Sequence, residues 1–393
     1  MNEKEKLIPQ RRFKEFKNTG TWEQRKLIDV AEMFDNLRIP VTASDRVEGN
    51  TAYYGANGIQ DYVDGFTHDG EFVLIAEDGA NDLINYPVNY VKGKIWVNNH
   101  AHVVSGKKSE LDNLFLTARI KSMNISHWLV GGGRAKLNGD VLKKIPLTLP
   151  IYEEQKKIGA FFKQLDDAIA LHQRKLDLLK EQKKGYLQKM FPKNGAKVPE
   201  LRFAGFADDW EERKLGDILS ERNDQMPETN EYPLMSFVQG KGVTPKGERY
   251  NRSFLVKDSE KKYKKTKLGD FIYSSNNLET GSIGFNRTGK AVISPVYSIF
   301  ESKKARESLF IGIMSARKDF ISEMVRFRQG VVYGQWRIHE SDFLNINIKI
   351  PNDKEQHLII SLFESIDNTI ALHQRKLDLL KEQKKGFLQK MFF

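Results

Sequence analysis

The stretch GFNRTGKA, residues 284–291, has the G-x-x-x-x-G-K spacing of a loop whose backbone N–H groups and lysine hold nucleotide phosphates. Two requirements of that chemistry are missing. Ala291 stands where a Ser or Thr would hold magnesium, and the following VISPVYSIF reads as a strand, not as the helix whose N-terminus must face the phosphates. The stretch is therefore expected to be a turn, either a plain hairpin turn or one that offers Arg287 and Lys290 to a nucleic-acid phosphate. His100 and His102 would share one face of a strand, as a metal pair does, but no third ligand lies near them in the sequence. A DNA contact or an ordinary surface pair is the expectation. GGGR, residues 131–134, is too short for a dinucleotide fingerprint, and no Asn/Asp-Pro-Pro-aromatic motif of an amino-methyltransferase occurs. The chain has no Cys, which removes disulfides, thiolate metal sites and a cysteine nucleophile. No catalytic or metal-binding residue is assigned.

What remains suits a polyanion. Arg, Asn and Gln can address base edges through paired hydrogen bonds, whereas Lys mostly holds phosphates. In the second half KGVTPKGERYNR contributes Lys241, Lys246, Arg249 and Arg252, and KKYKKTK contributes Lys261, Lys262, Lys264 and Lys265. RFRQG and VVYGQWR add Arg326, Arg328, Gln329, Tyr333, Gln335 and Trp336. The comparable first-half loops hold Tyr53, Tyr54 and Asn57 in YYGANGI, Asn98, Asn99, His100 and His102 in NNHAH, Lys107 and Lys108 in GKK, and Arg134 in GGGR. Each cluster alone is also what a solvated turn looks like.

These residues need scaffolds. With 393 residues, 39% of them hydrophobic, the chain can bury two ordinary cores. Lys and Arg total 63 against 52 Asp and Glu, a net charge of +11, as in many soluble proteins that meet a polyanion. The excess is uneven: residues 201–351 hold 25 basic and 20 acidic side chains, while residues 12–150 balance at 17 and 17. The charged start MNEKEKLIPQRRFKEF lacks the apolar run of a signal peptide, and no stretch approaches the roughly 18 apolar residues of a membrane span, so a cytoplasmic protein is expected.

The chain is one unit written twice. IPQRRFKEF corresponds to VPELRFAGF, TWEQRKL to DWEERKL, and ALHQRKLDLLKEQKKGYLQKMF, residues 170–191, returns at 371–392 with only Tyr186 changed, to Phe387. Pro150 and Pro351 lie 201 apart, as do Ala170 and Ala371. The order is a first domain (1–150), a helix (151–192), a linker (193–200), a second domain (201–351) and a second helix (352–393). The two domain interiors do not match. Gly-punctuated apolar runs such as EFVLIAEDG, KIWVNNHAHVV, DFIYSS and AVISPVYSIF read as strands, and LDNLFLTARIKSM and ESLFIGIMSARKDFISEMV as helices, so each domain is expected to be mixed α+β.

Leu165, Ile169, His172, Leu176, Leu179, Lys183, Tyr186 and Met190 follow the 4,3 rhythm of a coiled-coil seam, repeated from Ile366 to Met391. Parallel packing would set Lys183 against Lys384. Antiparallel packing sets Leu165 on Met391, Ile169 on Phe387, His172 on Lys384 and Leu176 on Leu380, matching apolar and polar layers; another register, or each helix packing on its own domain, is the alternative. Asn352 before Glu355 reads as a capping start, Pro192 as a stop, and Gly185 and Gly386 as a bend or close contact near each end. The outer-face residues Arg174, Lys175, Lys180, Arg375, Lys376 and Lys381 recur although a seam does not require them, as they would if two like surfaces received two copies of one partner, or if the repeat arose by recent duplication or gene conversion.

RFxxF with WExRKL opening each half, YYGANGIQDYV in the first domain and the long repeated helix closing each half resemble the specificity subunits of type I restriction-modification enzymes. The resemblance spans nearly the whole chain. It implies two target-recognition domains, inverted by an antiparallel helical pair with pseudo-two-fold symmetry, each addressing half of a split double-stranded DNA sequence. It also implies assembly with two methyltransferase subunits and, in the full complex, a restriction-translocase subunit. S-adenosylmethionine, ATP and magnesium would belong to those partners, and this chain would carry no cofactor. The alternative is a self-sufficient DNA methyltransferase or nuclease with an unrecognised motif.

Overall fold

The computed structural model describes residues 8–131, 135–193, 195–238, 241–245, 261–304, 307–331 and 335–392. The chain forms two compact units, residues 1–174 with 373–393 and residues 175–372. Each contains a mixed domain and a stretch of both long helices, Tyr152–Lys189 and Asp353–Met391.

The first domain's strands are β1 (Glu23–Lys26), β2 (Ala31–Met33), β3 (Glu48–Gly55), β4 (Gly58–Val63), β5 (His68–Ala76), β6 (Val88–Val97), β7 (Ala101–Gly106) and β8 (Pro146–Leu149). Six of them form a sheet in the order β2-β7-β5-β6-β3-β4, antiparallel except for β3 beside β6. The run FVLIA in β5 is apolar throughout because both faces are covered. Val73 and Ile75 pack with Phe115, Leu116 and Ile120 of the helix Asn113–Ser122, while Phe72 and Leu74 pack with Val91, Ile95 and Val103. Asp112 caps that helix by accepting from the Phe115 N–H at 2.8 Å. KIWVNNHAHVV is two strands, β6 and β7, broken at residues 98–100.

In the second domain Leu219–Glu221, Ser298–Ser302, Phe271–Tyr273 and Ile283–Phe285 make a four-stranded sheet in that order, and Gln225–Met226, Tyr263–Thr266 and Ala291–Ile293 a three-stranded one. AVISPVYSIF thus feeds two different sheets. Glu307–Met314 and Lys318–Val325 are separate helices where the sequence reads as one. Both domains close on a two-stranded antiparallel ribbon: β1 with β8, and Glu211–Lys214 with Asn347–Ile350.

Each domain is also tied to its following helix by one buried ion pair. Arg12 meets Glu154 through Nε and Nη2 at 2.7 and 2.6 Å, and Arg202 meets Glu355 at 2.7 and 2.8 Å. Both glutamates are at most 1% exposed. The Asn352 side chain accepts from the Glu355 N–H at 3.0 Å, as its capping position predicts, and the first long helix ends before Pro192.

Within the first unit Phe161 packs on Phe387, Asp166 pairs with Lys384, and His172 Nδ1 lies 2.9 Å from His373 Nδ1. Within the second, Lys183 pairs with Asp367 and Phe191 packs near Phe363. Partner numbers fall as residue numbers rise, so the helix segments in each unit run in opposite directions. The expected layers are displaced: His172 meets His373 and not Lys384, and Phe387 meets Phe161 and not Ile169. Matching polarity along the seam omitted Asp166 and Asp367, which neutralise the two lysines from beside it. Neither Gly185 nor Gly386 makes a close approach; a Cβ at either would meet nothing within 4 Å.

Candidate nucleic-acid interface

At one end of the first domain's sheet the β3–β4 turn, the chain leaving β5 and the β6–β7 turn are bonded together. Asn57 donates to Gly79 O and accepts from Asn81 N–H, both at 2.9 Å. Asn98 N–H donates to Tyr54 O at 3.1 Å, and Asn98 Oδ1 accepts from His100 N–H at 2.8 Å. His100 pairs with Asp78 through its side chain and accepts from Glu77 N–H through its carbonyl. This leaves Asn57 and Asn99 exposed and His100 partly so, with Asn98 buried as their support.

Behind the turns lies a charged network. His102, 1% exposed, faces Asp35 Oδ2 with Nδ1 at 2.6 Å and Leu137 O with Nε2 at 2.8 Å. Arg38 donates to Glu77 at 2.6 Å, and Lys136 pairs with the same carboxylate at 2.9 Å. Burial alone would raise the Asp35 and Glu77 carboxyls; His102 and Arg38 around the first, and Lys136 and Arg38 around the second, hold both below the usual carboxylate range. Asp35, Glu77 and His102 offer donor atoms within 4.8 Å of one another, companions that sequence proximity could not reveal. They do not fit a metal, because both His102 nitrogens face acceptors and Arg38 and Lys136 already supply the positive charge. His100 and His102 have separate carboxylate partners and form no ligand pair.

The remaining first-domain candidates separate. Tyr53 is 1% exposed, its hydroxyl bonded to Val41 and its ring between Trp96 and the Arg46 guanidinium. Tyr54 is half-buried beside the Phe72 cluster, and burial pushes its hydroxyl's pKa up. Lys107 and Lys108 follow β7, at the opposite end from the Asn98 turn, and Lys107 Nζ donates to Asp29 O at 2.9 Å. Arg134 lies outside the described residues.

In the second domain the hairpin of Gln329–Val331 and Gln335–Arg337 stands against the loop 274–282. Trp336 N–H donates to Asn276 Oδ1 at 2.6 Å and Ile338 N–H to Ser275 Oγ at 3.0 Å. Arg328 holds Glu279 with both terminal nitrogens, at 2.7 and 2.6 Å, beneath the Trp336 ring. That engagement makes Arg328 a support. Gln329 lies opposite Arg337, and Gln335 and Arg337 are two apart, so these three side chains share one face of the hairpin while Trp336 takes the other. Arg337 closes the VVYGQWR cluster, but the sequence does not single it out; only the register of the hairpin sets it beside Gln329 and Gln335. Arg326 is exposed beside Glu323.

GFNRTGKA is a turn between strands, organised by Asn286, whose Oδ1 accepts from Thr288 and Gly289 N–H at 2.9 and 3.2 Å. Its cations are occupied: Arg287 pairs with Asp367 at 2.8 Å, and Lys290 with Glu231. Lys264, 8% exposed, sits in the middle strand of the three-stranded sheet, and the Lys265 ammonium lies 4.7 Å from the Tyr232 ring centre. Lys241, Lys261 and Lys262 are exposed, whereas Lys246, Arg249, Arg252 and Tyr333 lie outside the described residues.

On the long helices Arg174, Lys175, Lys180, Arg375, Lys376 and Lys381 are all exposed. So are Leu171, Leu178, Leu372 and Leu379, at 52, 58, 66 and 47%. They repeat at the same 201-residue offset and make an apolar stripe beside the cations.

Residues 19–181 and 207–382 each match the type I restriction modification DNA specificity domain. A putative type I restriction enzyme specificity subunit of Haemophilus influenzae is 34% identical over 89% of both chains, and the type I MjaVIII specificity subunit of Methanocaldococcus jannaschii 22% identical over 93% of this chain and 91% of its own. The crystal structure of a type I restriction-modification S subunit from M. genitalium superposes with a TM-score of 0.70 at 14% identity, covering 98% of this chain and 99% of that one. The chain belongs to the type I restriction-modification specificity subunits, which provide such systems with DNA target recognition. No helix among the described residues is long and apolar enough to cross a membrane.

Proposed function

We propose that the chain reads a split duplex target, the first domain through Asn57, Asn99 and His100 and the second through Gln329, Gln335, Trp336 and Arg337. The exposed Lys241, Lys261 and Lys262 hold phosphates. The long helices form an antiparallel coiled coil with pseudo-two-fold symmetry, which presents the domains to opposite strands of a duplex whose backbone has the same symmetry. Two methyltransferase subunits dock on the helices, one on Leu171 and Leu178 with Arg174 and Lys175, the other on Leu372 and Leu379 with Arg375 and Lys376. The observation that carries this reading is the recurrence of exposed leucines beside the same cations on both helices. The chain itself is non-catalytic and acts in the cytoplasm; S-adenosylmethionine, ATP and magnesium serve the methyltransferase and restriction subunits.

The test is reconstitution. The lone chain methylates nothing, and a methyltransferase subunit with S-adenosylmethionine restores modification of a bipartite site. Native mass spectrometry of the Leu171→Glu, Leu178→Glu variant shows one methyltransferase copy fewer, and adding Leu372→Glu and Leu379→Glu removes both. Unchanged assembled mass, or methylation by the lone pure chain, sinks the proposal.

A further inference from the structure

Upstream of the nearly identical repeat, residues 151–169 and 352–370 have diverged at most positions but retain Glu154/Glu355, Gln155/Gln356, Ile158/Ile359, Phe162/Phe363, Asp166/Asp367 and Ile169/Ile370. The structure explains most of this stripe by what it touches. The glutamates take the buried Arg12 and Arg202, Gln155 and Gln356 donate to the carbonyls of Pro150 and Pro351, and Ile158, Phe162, Ile359 and Phe363 enter the two cores. Asp166 and Asp367 are the remaining charged members, kept while Leu165, Asp167 and Ala168 became Ile366, Asn368 and Thr369.

Each carboxylate receives two cations, one from the antiparallel helix and one from its own domain. Asp166 takes Lys384 and, at 3.5 Å, Lys121; Asp367 takes Lys183 and, at 2.8 Å, Arg287. The helix lysines are repeat equivalents, but the domain cations are not. Lys121 lies near the end of the helix Asn113–Ser122, and Arg287 in the turn after the strand Ile283–Phe285. Two unrelated domain surfaces thus bring a cation to the same point on the repeated helix. The two clamps differ in tightness. Beside Asp166 is a cavity of about 310 Å³, lined in part by Tyr90, Lys121 and Lys384, whereas beside Asp367 the space is about 100 Å³ and the Arg287 guanidinium also lies 4.4 Å from the Phe285 ring centre.

We propose that Asp166 and Asp367 are positioning residues for target recognition: each fixes the angle of its domain on the helix segments that carry it, and together they restrict the spacer length accepted between half-sites. The inference rests on the split-target reading above. The buried Arg12–Glu154 and Arg202–Glu355 pairs, the glutamine bonds and the core side chains up to Phe162 and Phe363 anchor each domain at the start of its helix, and a charged attachment one turn further along, at Asp166 or Asp367, limits tilting about that anchor. Freed of it, a domain can follow the roughly one-tenth turn by which each added base pair rotates the far half-site.

The test uses the full chain assembled with its methyltransferase subunit, selecting from duplexes with the cognate half-sites and a randomised spacer length. Asp367→Asn raises recovery of duplexes one base pair off the native spacer about fivefold relative to native, Asp166→Asn about twofold, while half-site sequences and melting temperature stay as in the wild type. Asp367→Glu, which keeps the charge, restores most of the selectivity. A purely structural role would instead lower binding equally at all spacers, and that outcome, or an unchanged spacer distribution in a folded variant, overturns the proposal. Should the Asn variants not fold, Lys121→Gln and Arg287→Gln remove only the domain-side cation and are judged by the same two criteria. If the wild-type complex selects no bipartite duplex, the split-target reading itself falls.

Discussion

In the first domain the turns proposed to meet DNA rest on a network of Asp35, Arg38, Glu77, His102 and Lys136, whereas in the second the hairpin proposed for the same role rests on the Arg328–Glu279 pair and the Asn276 and Ser275 hydrogen bonds. The frame is shared: the same ribbon, the same Arg–Glu pair, the same proline carbonyl held by a glutamine. Everything inside the ribbons differs, from the sheets, six strands against four and three, to the supports at their ends. Two domains can therefore present unlike surfaces without any change in how they are mounted.

The frame side of this comparison is broken most severely at the buried ion pairs. Arg12→Ala and Arg202→Ala each leave a glutamate buried without its cation and cost about 3–5 kcal/mol in the unit concerned. Denaturant unfolding followed by hydrogen exchange shows the loss in residues 8–150 for the first and 201–351 for the second. Equal destabilisation of both regions by either variant contradicts separate mounting.

Next in size are the supports. His102→Ala takes a hydrogen-bond partner from the buried Leu137 carbonyl and the partly buried Asp35 carboxylate and costs about 1–3 kcal/mol, whereas Arg328→Ala only frees the exposed Glu279 and costs about 1 kcal/mol or less. In a methylation assay each abolishes preference at one half-site and leaves the other intact; loss at both by either variant means the contact surfaces are not independent.

Acid separates the domains further. Because the folded Asp35 and Glu77 sit below their usual range, the stability they contribute is complete above the unfolded carboxylate pKa and is lost as pH falls through their own lower values, below about pH 4. Asp270 of the second domain is shifted the other way: burial raises it despite Arg222 at 2.9 Å, so that carboxyl favours the folded state as pH falls. Hydrogen exchange at pH 3.5 against pH 6 should therefore show protection falling around Asp35 and Glu77 before it falls around the Arg222–Asp270 pair.

The smallest effect lies on the helices. Gly185→Ala and Gly386→Ala, with open space at both positions, each stabilise by about 0.5–1 kcal/mol, seen as a raised melting temperature for each.

The long helices, their caps, most strands and the doubled order were legible because they are written in local periodicity and internal identity. The proposed contact surface could be approached in the sequence only by residue type. Nothing near His102 announces Asp35, 67 residues away, and nothing near Arg328 announces Glu279, 49 away. Arg287 and Lys264 read as surface cations until the fold gave one to Asp367 and the other to the interior of a sheet. The helix register failed for the same reason: its deciding charges, Asp166 and Asp367, sit outside the seam.

The closing ribbons have a consequence for inheritance. Glu23 lies opposite Leu149 and Lys26 opposite Pro146, as Glu211 lies opposite Ile350 and Lys214 opposite Asn347, so everything between leaves and returns at one place. A recombination event that replaces the coding sequence between two ribbon strands exchanges a whole contact surface while conserving the ribbon, the buried Arg–Glu pair and the helices. Such a replacement needs two crossovers, and both fall in the retained frame, so the exchange does not pass through a chain that has lost its mounting.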